Sequence, residues 1–226
     1  MHLGSKIPPL ASALAFLSLS ICLAASPQPE TRTPKVVWAF GAVRTSSNPS
    51  KVERVRAHME LSSGDKLRMM IQLNKRCFVY VIHRDTQDNL VLLFPYSIKQ
   101  FDTDYQTFHK YFSPKDGWFQ LDNRTGRETF YLVASDQRLL DIEYAYQQYA
   151  SSISSKKQDL AKQVISELEG MAGKHLASSV AADMPADAVA RGFERAMGAD
   201  PMDISQVATE ISFETSYSET FVIDHR

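Results

Sequence analysis

The stretch Cys77-Phe-Val-Tyr-Val-Ile-His83 and the run Asn89-Leu-Val-Leu-Leu-Phe-Pro95 constrain this chain more than any other feature. Both are rich in β-branched and aromatic residues, and the polar segment Arg84-Asp-Thr-Gln-Asp88 separates them. Apolar run, polar turn, apolar run reads as a β-hairpin. Neither run alternates with polar residues. The hairpin is therefore expected to be buried on both faces, with other strands covering it rather than leaving it at an outer edge.

The flanking segments supply those strands. Val36-Val-Trp-Ala-Phe40 predicts a first strand ended at Gly41. Val55, Ala57, Met59 and Leu61 alternate with Arg54, Arg56, His58 and Glu60. Leu67, Met69, Ile71 and Leu73 then alternate with Arg68, Met70, Gln72 and Asn74. A period of two predicts half-exposed strands. Their links, Ser62-Ser-Gly-Asp65 and Asn74-Lys-Arg76, are too short for parallel crossovers, so consecutive antiparallel strands are expected. Trp118-Phe-Gln-Leu121 and Glu128-Thr-Phe-Tyr-Leu-Val-Ala134 predict a further hairpin around Asp122-Asn-Arg-Thr-Gly126, whose Asn and Gly suit a tight turn.

After Ser135, which reads as a helix N-cap, the period becomes helical. Leu139, Ile142, Tyr146 and Tyr149 share one face, and after a break at 151–155 an apolar stripe runs from Leu160 to Val180. This predicts a helix over Gln158 to Ala182, packed on the sheet. Pro185 suits the start of a short helix ending at Gly198. Val207 to Phe213 alternates again, and Thr220-Phe-Val-Ile223 closes the chain. The predicted fold class is α+β: an antiparallel β-sandwich-like domain with a C-terminal helical excursion and a final strand pair. The predicted organisation is a signal peptide over 1–25, a flexible leader and first strand over 26–50, and one β-rich domain over 51–226. Within that domain 51–135 holds core strands, 136–200 helices and 205–224 closing strands.

The export signal is read from Lys6, the apolar run Leu10 to Ala25 with small residues at its end, and Pro27 and Pro29 just beyond. That run is short for a membrane span. Leu19-Ser-Ile-Cys22 resembles the lipobox of bacterial lipoproteins, which makes Cys22 a candidate for lipidation and the one expected route to a membrane; Ile21 departs from the small residue that pattern wants. Simple cleavage, with Cys22 lost, is the plainer alternative. Cys77 would then be the remaining thiol, buried in a strand and inert.

With 25 Lys and Arg against 26 Asp and Glu, and no long single-sign run, nucleic acid is not an expected partner. No cofactor is expected. Asp85, Asp88 and Asn89 lack calcium-loop spacing and read as turn residues. His58, His83, His109, His175 and His225 have no ligand-like local spacing, so no metal is expected, although a spatial His83/His109 pair stays open. Ser63, Ser97 and Ser135 sit in no nucleophile motif. The stretch from Phe101 to Phe112 is the place to look for binding: Phe101, Tyr105, Phe108, Tyr111 and Phe112 lie among polar residues in a long loop. Such aromatics either form a recognition surface or close one end of the sheets.

Several of these segments together resemble the domain-of-unknown-function family 4384. They are Ser63-Gly-Asp65, Phe78-Val-Tyr-Val-Ile82, Asn89 to Pro95, the Pro114 turn and Arg127-Glu-Thr-Phe-Tyr-Leu-Val-Ala-Ser135. The resemblance spans roughly Leu61 to Leu139. Asn89 stands where the family's hairpin has Gly, and Asn tolerates the left-handed conformation such a turn requires. The family recurs in exported bacterial proteins, which implies an accessory or interaction domain of the envelope, with no catalytic residues to carry over.

The reading is therefore an exported bacterial envelope protein, periplasmic, outer-membrane-associated or secreted. Its expected role is a non-enzymatic protein-binding or assembly module whose partner is another envelope protein. The alternative is a cell-wall or glycan binding protein or hydrolase, with Asp102 and Asp104 as the acids.

Overall fold

A computed structural model describes Met1 and residues 33–48, 50–172, 180–183 and 202–226. The chain divides into two units, Met1–Arg32 and Thr33–Arg226, and the described elements lie in the second. The expected export segment, Cys22 and the expected helix from Pro185 to Gly198 lie outside the described residues.

In chain order the strands are β1 (Lys35–Val43), β2 (Val52–Arg54), β3 (His58–Leu61), β4 (Lys66–Leu73), β5 (Phe78–Arg84), β6 (Leu90–Phe94), β7 (Lys110–Ser113), β8 (Phe119–Gln120) and β9 (Gly126–Ser135). Three more follow: β10 (Val180–Asp183), β11 (Thr209–Ser212) and β12 (Ser216–His225). The helices are α1 (Gln100–Thr103), α2 (Leu140–Ser151) and α3 (Ser154–Ala172), with a 3-10 turn at Ile204–Val207. One sheet runs β10-β11-β1-β4-β7, with β2 added to β1 and β8 to β4; the other runs β3-β12-β9-β5-β6. Pairing is antiparallel except between β12 and β3. The domain is mostly antiparallel sheet with a few helices.

Strand periodicity explains the packing. Val79 and Val81 of β5, with Phe130 and Leu132 of β9, join Trp38 and Phe40 of β1 and Met69 and Ile71 of β4 in one buried cluster drawn from both sheets. Its centre is aromatic: Phe40 meets Phe130 and Phe221 edge-on at ring separations of 5.0 and 5.4 Å, a favoured geometry. The alternate residues Tyr80, Ile82, Tyr131 and Val133 point the other way and pack against α2 and α3. On the first sheet, Val37, Ala39 and Met70 pack with Ile204 and Ala208.

Neighbour choice departs from expectation in several places. Residues 54–61 form no single strand: β2 belongs to the first sheet and β3 to the second. The links β4 to β5, β8 to β9 and β11 to β12 also change sheet. Consecutive pairing therefore fails for most of these strands, including the expected hairpin around Asp122–Gly126 and the expected closing pair. The reason is length. A link such as Val55–Ala57 reaches about 10 Å when extended, the usual spacing of facing sheets, so a short link does not force a hairpin.

The central hairpin β5–β6 forms, but β6 is an edge strand. Its outer side is closed by tyrosines, not by another strand: the amides of Leu90 and Leu92 donate to the hydroxyls of Tyr149 and Tyr146, at 2.8 and 2.9 Å. An edge whose outer amides are satisfied needs no covering strand, and β6 is not buried on both faces as expected, since Val91 stays 46% exposed.

Helix α3 ends at Ala172, and 180–183 is strand β10, paired to β11. The expected helix through Ala182 overran because its apolar stripe also satisfies a short edge strand. Ser135 ends β9 and caps no helix. Its hydroxyl accepts from the amide of Gln137, whereas the residue preceding α2 is Leu139, without a side-chain cap.

Candidate functional site

Of the five candidate aromatics, the structure brings Phe101, Tyr105 and Tyr111 together, but inside. Phe101 is buried against Phe78, Tyr80 and Tyr105 at ring separations of 5.2, 5.1 and 4.8 Å. The Tyr105 hydroxyl accepts from the amide of Val79 at 3.0 Å, and burial pushes its proton affinity well up. Tyr111 is buried and accepts from the amide of Gln106 at 2.6 Å. These three plug one end of the core, which is the packing alternative. Phe112 is half-buried under the Arg68 guanidinium, 4.5 Å from its ring centre. Phe108 alone is turned outward, 70% exposed, with φ at +63° and its amide bonded to the Leu73 carbonyl. The loop also contains β7, which alternation among so many aromatics did not reveal.

The two acids of that loop have different partners. Asp102 is bridged by Arg138 at 3.2 Å, and the Asp104 carbonyl accepts from the Tyr111 hydroxyl. Arg138 also donates to the buried Glu143 at 3.0 Å, and Glu143 accepts from the Tyr80 hydroxyl at 2.6 Å. This network locks α2 onto β5. His83 and His109 have separate partners, Glu128 and the Tyr111 ring. Among the described residues no three His, Cys, Asp or Glu side chains converge as metal ligands.

A different place carries the mixed chemistry of a binding site. A cleft of about 280 Å³ opens where the ends of β4, β5, β9 and β12 meet the β8–β9 link. One wall is apolar, from Leu67, Leu93, Phe119, Leu121 and Phe130. Alongside them lie His83, Glu128 and His225. The Glu128 carboxylate accepts from His83 Nε2 at 2.6 Å, and the His83 ring stacks on Phe130 at 4.5 Å. Each strand delivers these groups by parity: His83 and Phe130 face each other in the β5–β9 register.

The rim comes from two turns. Asp85 opens the β5–β6 turn, and its carboxylate accepts from the amides of Gln87 and Asn89 and from the Asn89 side chain. Burial pushes that carboxyl up, but these donors outweigh it and hold it below its usual value. The left-handed residue of the turn is Asp88, at φ +64°, one position before the expected Asn89. Across the mouth, Asp122 accepts from the amide of Arg124 at 2.7 Å. Gly126 follows at φ +145°, where a Cβ would come within 2.9 Å of Thr86 on the rim.

His225 was visible to sequence reading only as one of several histidines. Its Nε2 lies 3.1 Å from the Ser63 hydroxyl, a contact between residues 162 positions apart. Its Nδ1 is buried without a hydrogen-bond partner. An unpaired buried polar atom is costly, and such atoms call for an explanation.

Every residue lining the cleft except His225 falls between Leu67 and Phe130. Residues 60–138 match the family model of a domain of unknown function, DUF4384. The match agrees to within one residue at each end with the resemblance seen in the sequence. No curated protein matches the chain. The DUF4384 segment holds β4 to β9 and stops just before α2, so the cleft belongs almost wholly to it, and the last strand adds His225.

Proposed function

We propose that this chain is an exported bacterial envelope protein whose two sheets form a β-sandwich, and that its DUF4384 segment is a non-catalytic binding module. The ligand sits in the cleft at the end of the sheets. The observation that carries this is a cleft whose lining joins five apolar side chains, Leu67, Leu93, Phe119, Leu121 and Phe130, to the polar groups of His83, Glu128 and His225. Sites of this kind bury a ligand on apolar surface and orient it with a few polar groups.

A hydrolytic role has less support. Ser63 and His225 are within reach of each other, but no carboxylate holds His225 Nδ1 in place as a nucleophile–base pair requires. Asp102, the other candidate acid, is held by Arg138. Export is supported by the composition of residues 1–25, and a lipid at Cys22 would tether the module to a membrane. Docking to another envelope protein, the second reading, rests on exposed Phe108, Leu140 and Tyr144.

The test is to incubate the purified chain with isolated envelope material and measure both retention and release of soluble fragments. Retention without release, abolished by Gln120→Trp at the cleft mouth, is the expected result. Steady release of fragments would overturn the non-catalytic reading.

A further inference from the structure

We infer that the cleft takes a neutral sugar ring of a glycan, an inference that rests on the cleft being the binding site. Charge balance limits the ligand first. Of the three carboxylates in the cleft, Asp85 accepts three hydrogen bonds from its own turn and Glu128 accepts from His83. Asp122 remains at the rim with a side-chain oxygen to spare, and the Arg124 cation stands two residues away. Hydrogen bonding does not remove the other two charges: with histidine counted as neutral, three carboxylates stand against one guanidinium, a formal −3 + 1 = −2 that repels an anionic ligand.

The polar part of the lining mixes donors and acceptors. Arg124, Gln120 and Thr86 can donate, and Asp122 and Glu128 can accept. A row of hydroxyl groups, each both donor and acceptor, matches that mixture; an alkyl chain or an anion does not. Half-buried Phe119, Leu93 and Leu121 add apolar surface, and the Phe119 ring suits the C–H face of a pyranose. The cleft volume of about 280 Å³ is at the small end for ligand sites, fitting one ring and not an extended peptide. Its open mouth lets the neighbouring rings of a polymer run out into solvent.

The test uses the full chain on an array of neutral, acidic and amino-sugar oligosaccharides, followed by titration calorimetry with the best neutral tetrasaccharide. Binding is expected to neutral glycans and to fall about tenfold or more in Phe119→Ala and in Arg124→Ala, with Lys162→Ala on exposed α3 surface as the control. Arg124 is exposed and Phe119 half-buried at the edge of the core, so circular dichroism checks that each variant folds. Binding unchanged in both cleft variants, or confined to charged glycans, would overturn the inference. Absence of glycan binding would overturn it too. In that case amide NMR with small amphiphilic fragments separates the two ideas: shifts at His83 and Phe130 keep the cleft as a site for another ligand, and no shifts remove both.

Discussion

The hydroxyl of Tyr149 accepts a hydrogen bond from the amide of Leu90 at 2.8 Å, across 59 residues of sequence. Tyr146 does the same for Leu92. Edge strands expose unpaired amides that invite pairing with other chains, and here a helix supplies the acceptors that a strand would otherwise provide. Alternate amides of β6 are used by β5, so the two tyrosines close the outer row.

Replacing Tyr149 by Phe keeps the ring and removes the acceptor. We expect a loss of about 1–2 kcal/mol, the usual cost of leaving a buried amide unpaired. Hydrogen exchange at Leu90 should accelerate while exchange in β9 follows only the global change. An unchanged Leu90 rate would show that the hydroxyl does not close this edge.

Arg138, Glu143 and Tyr80 form the second tie between α2 and the sheet. Glu143 is buried, so removing its cation strands a charge in low dielectric. Arg138→Met should cost about 3 kcal/mol in urea unfolding, and adding Glu143→Gln to it should recover much of that loss. If the two changes simply add, the pair is not coupled.

Cys77 gives a pH test. Burial, and then the charge of Asp136, raise its thiol from 9.0 to about 12. The thiolate is the reactive form, so alkylation at about pH 8 should require unfolding. The stabilising contribution is complete below the unfolded value. As pH rises from 9.0 towards about 12, the unfolded chain releases this proton and the folded chain keeps it, costing about 1.4 kcal/mol per pH unit. Cys77→Ala should flatten the alkaline slope of stability by that amount; an unaltered slope would place the titration elsewhere.

What could be read from the chain beforehand was local. Alternation at Leu67 to Leu73 identified β4, and spacing at Leu139 to Tyr149 identified α2. The same signals misjudged neighbours. The double-sided burial of β5 was legible, but β6 leaves Val91 46% exposed, and an apolar edge strand partly covered by tyrosines looks identical in sequence to one covered by a strand. The aromatics of the Phe101–Phe112 stretch were legible as a group, yet only packing could tell that Phe101 and Tyr111 turn inward and Phe108 outward.

The sequence by itself determined the strand pattern of β4 and β5, the helical period of α2, and the family resemblance of the middle segment. Those properties depend on residues a few positions apart, where periods of two and of three to four are visible. Tertiary structure alone decided which strands are neighbours, that β12 returns to pair with β3 and β9, and that His225 meets Ser63 beside His83 and Glu128. A period of two says which face of a strand is buried and nothing about the strand beside it. The cleft is a product of those long-range pairings, so no local pattern could announce it.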